Sequence, residues 1–296
     1  MSDMLSESII VSAAMAERSI ESLLKQQLGM SDSYISRLKR RPIGITLNGA
    51  KAYTTAKVKE GDVLTAQTGD PEDYPRARPM TAELNIPWQD SYIAIIDKAA
   101  GMAVHQSTRD PDELTMENAF AAQFPVGENF HPVSRLDRGT TGLMTVAKCG
   151  YMHHRLKQML HTELFRREYI GIAVGHVFPH KGHIELPIGM AEGSTYQRAV
   201  RPGGIYAHTE YHVLGFYGGY TLLRLIPHTG RTHQLRLHMS AIGYPLAGDW
   251  LYGERGKDIQ RPALHSAELW LQHPMSGEMM HVISPVPDDM TNLINI

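Results

Sequence analysis

His131-Pro-Val-Ser-Arg-Leu-Asp-Arg-Gly-Thr-Thr-Gly142, running directly into the apolar segment Leu143–Ala147, is the stretch on which the reading of this chain turns. It places a single carboxylate, Asp137, between Arg135 and Arg138 and ahead of a Gly-Thr-Thr-Gly turn, where backbone and hydroxyl donors can hold it rigidly. Flanking cations favour the charged carboxylate and make it usable as a nucleophile or base. The same residues describe a structural Arg–Asp pair on a loop equally well, because such pairs are common on surfaces.

Outward from this turn, runs that read as strands occur at Tyr92–Ile96, Leu143–Ala147, Tyr169–Val174, Tyr211–Phe216, Thr221–Ile226, Leu269–Gln272 and Met279–Ile283. Helical patterns are fewer: Leu114–Phe124, Met152–Leu164 and Thr232–Ile242. Strands that outnumber helices and often follow one another predict an α+β core over residues 88–296, a mixed, largely antiparallel sheet flanked by helices, rather than a βαβ repeat. Ahead of it, residues 67–87 carry Pro71, Pro75, Pro79 and Pro87 among charged residues and read as an extended linker. Residues 18–66 read as a small α/β module. Ile20, Leu23, Leu24 and Leu28 recur at helical spacing, and Ser31 or Asp32 can cap a second helix through Leu38 and Arg41. Short strands and tight turns follow at Ile43–Leu47, Asn48-Gly49 and Lys57–Thr65.

With 296 residues and 42% hydrophobic content, the chain can bury one large core and carry an accessory module. The apolar stretch Ile9–Ala16 is too short to span a bilayer and has the wrong flanks for a signal peptide, so a cytoplasmic protein with no membrane role is expected. Cys149 is the single cysteine, which excludes an internal disulfide and any multi-cysteine metal site. Lys plus Arg (29) and Asp plus Glu (31) nearly cancel, so global charge does not mark a nucleic-acid binder. Local clusters at Arg37, Lys39, Arg40 and Arg41, at Arg135 and Arg138, at Arg166 and Arg167, and at Arg198 and Arg201 can still meet phosphates. His153, His154, His161, His233 and His238 fall in no metal-ligand spacing and read as packing, surface or phosphate-contact residues; neither metal nor cofactor is expected.

Arg135-Leu136-Asp137-Arg138 followed by Thr140-Thr141-Gly142 resembles the His-Arg-Leu-Asp-x-x-Thr-Ser-Gly signature of RluA-type pseudouridine synthases, with Ser134 at the usual histidine and Thr141 at the usual serine. Asp90–Lys98 through Gly101 to His105 resembles the family's first core strand and following segment, with Ala99 at its proline position. Arg167–Gly175 resembles the strand that carries the active-site tyrosine, here Tyr169. Thr229–His238 resembles the segment whose second arginine, here Arg236, pairs with the catalytic aspartate. Leu264–Ala267 through His273-Pro274 and Ser284-Pro285 resembles the closing hairpin. Residues 18–66 resemble the small α-L RNA-binding domain, chiefly at Ser31–Arg41, Asn48-Gly49 and Lys59–Asp62.

The resemblance implies an RNA pseudouridine synthase, an isomerase acting on uridines of structured ribosomal or transfer RNA, active as a monomer. Asp137, Tyr169 and Arg236 would be its catalytic residues. Arg135 and Arg138, with Arg37, Lys39, Arg40 and Arg41 of the module, would meet RNA. Without that resemblance, Tyr169 in an alternating strand reads as core and Arg236 at the edge of a helical stripe reads as a solvated charge. An alternative function is a catalytically inactive RNA-binding or ribosome-assembly protein on the same fold. A glycoside or nucleoside hydrolase would typically need two opposed carboxylates or an activated water site, and only one carboxylate stands out.

Overall fold

The structure is a computed structural model describing residues 5–71, 73–107, 110–256 and 258–295. At the start, Ser6–Ile10 (β1), Ile45–Leu47 (β2), Ala50–Lys51 (β3) and Val63–Gln67 (β4) form an antiparallel sheet in the order β1-β4-β2-β3. β1 thus joins this sheet from upstream of residue 18. Two short helices, Ile20–Gln26 (α1) and Asp32–Leu38 (α2), each begin at a serine whose hydroxyl accepts a backbone N–H, Ser19 from Ser22 and Ser31 from Tyr34. α2 ends at Leu38, so Arg37 occupies its last turn while Lys39, Arg40 and Arg41 follow it.

The apolar faces of α1 and α2 do not close a core of their own. Leu23, Leu24, Ile35 and Leu38 belong to one buried cluster with Ile93, Ile95, Tyr151 and Phe165 of the chain beyond residue 88. The Tyr151 hydroxyl reinforces this contact by donating to the Leu28 carbonyl at 2.7 Å. Between the two regions, residues 68–84 hold no helix or strand among those described, yet the segment is anchored. Buried Asp70 accepts from Asn129 Nδ2 at 3.0 Å and the Gly150 backbone N–H at 3.0 Å, and pairs with His131 Nε2 at 2.7 Å. Asp70→Ala strips the acceptor from three donors at this junction, and a loss of about 3 kcal/mol, read as a lower urea midpoint, is expected. Burial alone would raise the Asp70 pKa, but these bonds outweigh it and hold the carboxyl below its ordinary 3.8. Its contribution is therefore present above that value and lost as pH falls through the lower folded one, a window in which Asp70→Ala has nothing to lose.

The main sheet is built from Asn85–Gln89 (β5), Ile93–Lys98 (β6), His131–Pro132 (β7), Thr141–Ala147 (β8), Phe165–Val174 (β9) and Lys181–Glu185 (β10). After a small separate pair, Ile188–Met190 (β11) with Arg198–Val200 (β12), it resumes with His208–Tyr217 (β13), Tyr220–Pro227 (β14), Leu264–Gln272 (β15) and Met279–Ile283 (β16). The order is β10-β13-β14-β9-β15-β8-β6-β5, with β16 beside β15 and β7 beside β8. Among the described residues only β8 and β15 pair in parallel, so the sheet is largely antiparallel as expected for the α+β class. Met116–Gln123 (α3), Gly150–Met159 (α4), Gln234–Ala241 (α5) and Asp288–Thr291 (α6) flank it. α4 stops short of the expected Leu164 because His161 takes a positive φ of 68° and turns the chain into β9.

Every residue of β8 is buried, which explains its unbroken Leu-Met-Thr-Val-Ala run. Gly142, with φ of 101°, has the backbone oxygen of Ser266 2.3 Å from where a Cβ would stand, so only glycine lets β15 close against β8. Among the described residues no helix is long and apolar enough to cross a membrane.

Candidate active site

Residues 133–140 connect β7 to β8 as a loop pinned from several sides. Leu136 is buried in the same cluster as Tyr169 and Leu235. The Thr140 N–H donates back to the Asp137 carbonyl at 3.0 Å, closing the turn. From behind, the Arg138 carbonyl accepts from the Gly101 N–H at 2.9 Å and from Lys98 Nζ at 3.0 Å, while Arg261 Nη1 donates to the Gly139 carbonyl at 3.3 Å. The side chain of Asp137 thus projects from a backbone that has little freedom to shift.

Lys98 is buried and donates also to the carbonyls of Ala99 and Met102, at 2.8 and 3.1 Å. Burial pushes its pKa down to about 8 against the pull of Asp137. The unfolded lysine keeps its proton up to its ordinary 10.5, so the unfolded state binds the extra proton between the two values and stability rises with pH there. The stability gap between the parent protein and Lys98→Met is expected to widen from about pH 7 to about pH 10 in urea unfolding.

The Asp137 carboxylate is held differently from the expectation drawn from its neighbours. The turn hydroxyls point elsewhere: Thr141 Oγ1 is bonded to His265 Nδ1 at 2.9 Å, and buried Thr140 Oγ1 has no partner among the described residues. Arg138 grips Glu113 with both terminal nitrogens, and Arg135 stands exposed without an ion pair among the described residues. The cation on Asp137 is Arg236, whose Nη1 donates to Oδ2 at 3.0 Å across a separation of 99 residues.

Arg236 is not at the edge of a solvated stripe, because α5 is buried from Gln234 through Met239. Its other edge is fixed by Asp249, which accepts from Nε at 2.7 Å and from Nη2 at 2.8 Å and is itself fully buried. Burial opposes the charge on Arg236, but the hydrogen bonds and charges of Asp249 and Asp137 outweigh it and hold the guanidinium above its ordinary pKa. The Tyr252 ring lies 5.3 Å from the guanidinium carbon and completes its surroundings. Sequence reasoning missed Asp249 and Tyr252, which sit in no recognisable pattern. It also read His233 as a packing, surface or phosphate-contact residue. His233 adopts φ of 59° just before α5, bonds Tyr252 Oη through Nδ1 at 2.8 Å and brings Nε2 to 4.0 Å from Asp137. Burial, helped by Arg236, lowers its pKa against the pull of Asp137.

These groups line a cleft of about 1090 Å³. Tyr169 reaches it from β9 with 5% exposure, and Arg135 and Arg138 line it as well. Its cations are Arg135, Arg138, Lys157, Arg167, Arg231 and Arg236, against the carboxylates Asp137 and Glu117, so a nearly neutral chain presents a positive cleft. Glu117 is tied to His105 at 2.9 Å. Burial, helped by neighbouring cations and imidazoles, lowers the pKa of the cleft residues His153 and His161 to about 4, so both are neutral hydrogen-bonding groups at pH 7.

The basic residues 37–41 are not in the cleft lining. Arg37 lies over the Tyr34 ring at 5.1 Å, Lys39 is 3.7 Å from Glu21, and Arg41 Nη1 donates to the Gly69 carbonyl at 2.8 Å. Arg40 is exposed, its side chain without a bond among the described residues.

A profile of the RNA pseudouridylate synthases matches residues 92–241, which include Asp137, Tyr169 and Arg236. The ribosomal large subunit pseudouridine synthase D of Yersinia pestis is 34% identical, over 98% of this chain and 95% of its own length. YjbO of Bacillus subtilis, described as an uncharacterized RNA pseudouridine synthase, is 32% identical over 90% of this chain and 95% of its own. Among solved structures, human RNA pseudouridylate synthase domain containing 1 superposes with a TM-score of 0.56 at 25% identity, covering 69% of this chain and 83% of that one.

Proposed function

Because the chain belongs to the RNA pseudouridylate synthase family and is an isomerase of RNA uridines, we propose that Asp137 is its catalyst and the RNA of the large ribosomal subunit its substrate. One observation carries the catalytic assignment. The guanidinium that meets Asp137 is fixed on its far side by a fully buried carboxylate, an arrangement that aims one charge rather than merely neutralising it. In the reaction the uridine N1–C1′ bond breaks, the base turns and a C5–C1′ bond forms; C5 loses a proton and N1 gains one. Asp137 assists the first step, by covalent attack or by taking a sugar proton to leave a glycal, and both routes need the carboxylate. Tyr169 gives the uracil a flat face and a hydroxyl within the cleft, and Arg236 positions Asp137.

A uridine inside a duplex or stacked loop must be turned out to reach such a cleft. Arg135, exposed at its rim and without an ion pair among the described residues, suits the role of filling the space that the base leaves. Arg37, Lys39 and Arg40, exposed beyond the cleft, are placed to meet backbone phosphates, whereas Arg41 and Arg138 are largely engaged within the protein. The substrate assignment leans on relatives named for the large ribosomal subunit and covered nearly end to end. An rRNA substrate implies work in the cytoplasm where ribosomes are assembled. Its test is the release of C5 tritium from labelled transcripts of large-subunit RNA and of tRNA, with pseudouridine mapping in cells lacking the gene. Release from the ribosomal transcript and loss of a large-subunit site are expected; release from tRNA alone would overturn the assignment.

A further inference from the structure

Outside the catalytic loop, one face of the main sheet carries an unusual run of imidazoles. Strand β13 reads His208-Thr-Glu-Tyr-His212, so its alternation sends His208, Glu210 and His212 to one side and the buried Thr209 and Tyr211 to the other. Pairing then brings two more histidines to the same side. His183 of β10 stands opposite Glu210, and His228, directly after β14, donates its backbone N–H to the His208 carbonyl at 3.0 Å.

We propose that His183, His208 and His228 form a binding site for one divalent transition-metal ion of the zinc, nickel or copper class. One ring nitrogen from each lies within 4.8 Å of the other two. His183 Nδ1 and His208 Nε2 are 2.9 Å apart, and two nitrogens bound tetrahedrally to zinc at about 2.0–2.1 Å stand about 3.4 Å from each other, so little movement is needed for this pair. That contact requires one ring to accept a hydrogen bond from the other, which means that a ligating lone pair is already present. His208 and His228 are stacked at 4.3 Å with planes 19° apart, so an ion drawing both must tilt His228, whose side chain is 42% exposed. Glu210 supplies the carboxylate that such sites use to orient their imidazoles, pairing with His228 at 2.9 Å and His212 at 2.6 Å. Three imidazoles with a nearby carboxylate suit a borderline cation and give magnesium or calcium no oxygen-rich cage.

The site would act on the rim of the cleft, because His228 lines it and opens the loop that leads to α5. The Thr229 hydroxyl accepts from the His208 N–H at 2.9 Å and donates to Gln234 at 2.7 Å, so an ion held here would stiffen the approach to Arg236. The proposal rests on the imidazole cluster and not on the catalytic assignment.

Untagged full-length protein titrated with Co²⁺ and, by equilibrium dialysis, with Zn²⁺ tests it. Saturable uptake of one equivalent with visible d–d absorption is expected. His183→Ala and His228→Ala should each weaken uptake by more than tenfold, and Glu210→Gln by about tenfold, with melting temperatures measured in parallel to show that the variants are folded. Absence of saturable uptake overturns the site. So does uptake that folded His183→Ala and His228→Ala retain in full, since that would put the ion elsewhere among the 16 histidines.

Discussion

Asp137→Asn is expected to lower the single-turnover rate of C5 tritium release by about 10³-fold or more, while the protein stays folded. The asparagine keeps an oxygen for Arg236 Nη1 and nearly the same volume, and the backbone around it is held by Lys98, Gly101 and Arg261 rather than by the side chain. What disappears is the anionic oxygen. Because Arg236 retains Asp249, no buried cation is orphaned, and the melting temperature should move by only a few degrees. A folded Asp137→Asn variant that turns over within about tenfold of the parent would remove this carboxylate from the mechanism.

Arg236→Met is expected to be the most damaging substitution to stability in the cleft. It leaves Asp249 fully buried without its cation, a situation that costs about 3–5 kcal/mol. Stability and positioning can be separated by a second change. Arg236→Met combined with Asp249→Leu removes both charges, so much of the lost stability should return, as replacement of buried ion pairs by apolar groups allows. Activity should not return, because the guanidinium that meets Asp137 is gone. In either variant the loss should fall mainly on kcat rather than on KM, since the role proposed for Asp137 lies in the chemical step and RNA affinity is spread over many phosphate contacts. Recovery of kcat together with stability in the double variant would make Arg236 a structural residue only.

Much of the sheet was legible in sequence because its strands alternate or run apolar. β8, β9, β13, β14 and β16 all lie over stretches read as strands, some extended by a few residues. The strands that escaped are short or polar and lie at the margins. β5 contains Pro87, one of the prolines that argued for a linker, and it is the edge strand of its sheet, where a missing N–H costs least. β10, at the opposite edge, is Lys-Gly-His-Ile-Glu with a single buried residue. The N-terminal module could not be bounded from periodicity because its apolar faces are completed by residues beyond 88. At the site, the motif singled out Asp137, Tyr169 and Arg236, which the structure brings to one cleft. Asp249 and Tyr252 were invisible, and His233 and Lys98 lay within the motif stretches without a role, because their importance comes from tertiary neighbours: a carboxylate after Gly248 says nothing until α5 is laid against it.

The parallel pairing of β8 with β15 has a consequence in time. β8, at residues 141–147, meets β6 along its length and β7 at Val146 and Ala147, but Thr141 and Gly142 at its other end are paired by β15, at residues 264–272, and the loop bearing Asp137 is braced by Arg261. A chain emerging from the ribosome can assemble β6, β7 and β8 early, but the cleft cannot become rigid until residues 261–272 are out. Nascent chains stalled before residue 260 should therefore release no C5 tritium from RNA, and competence waits on β15.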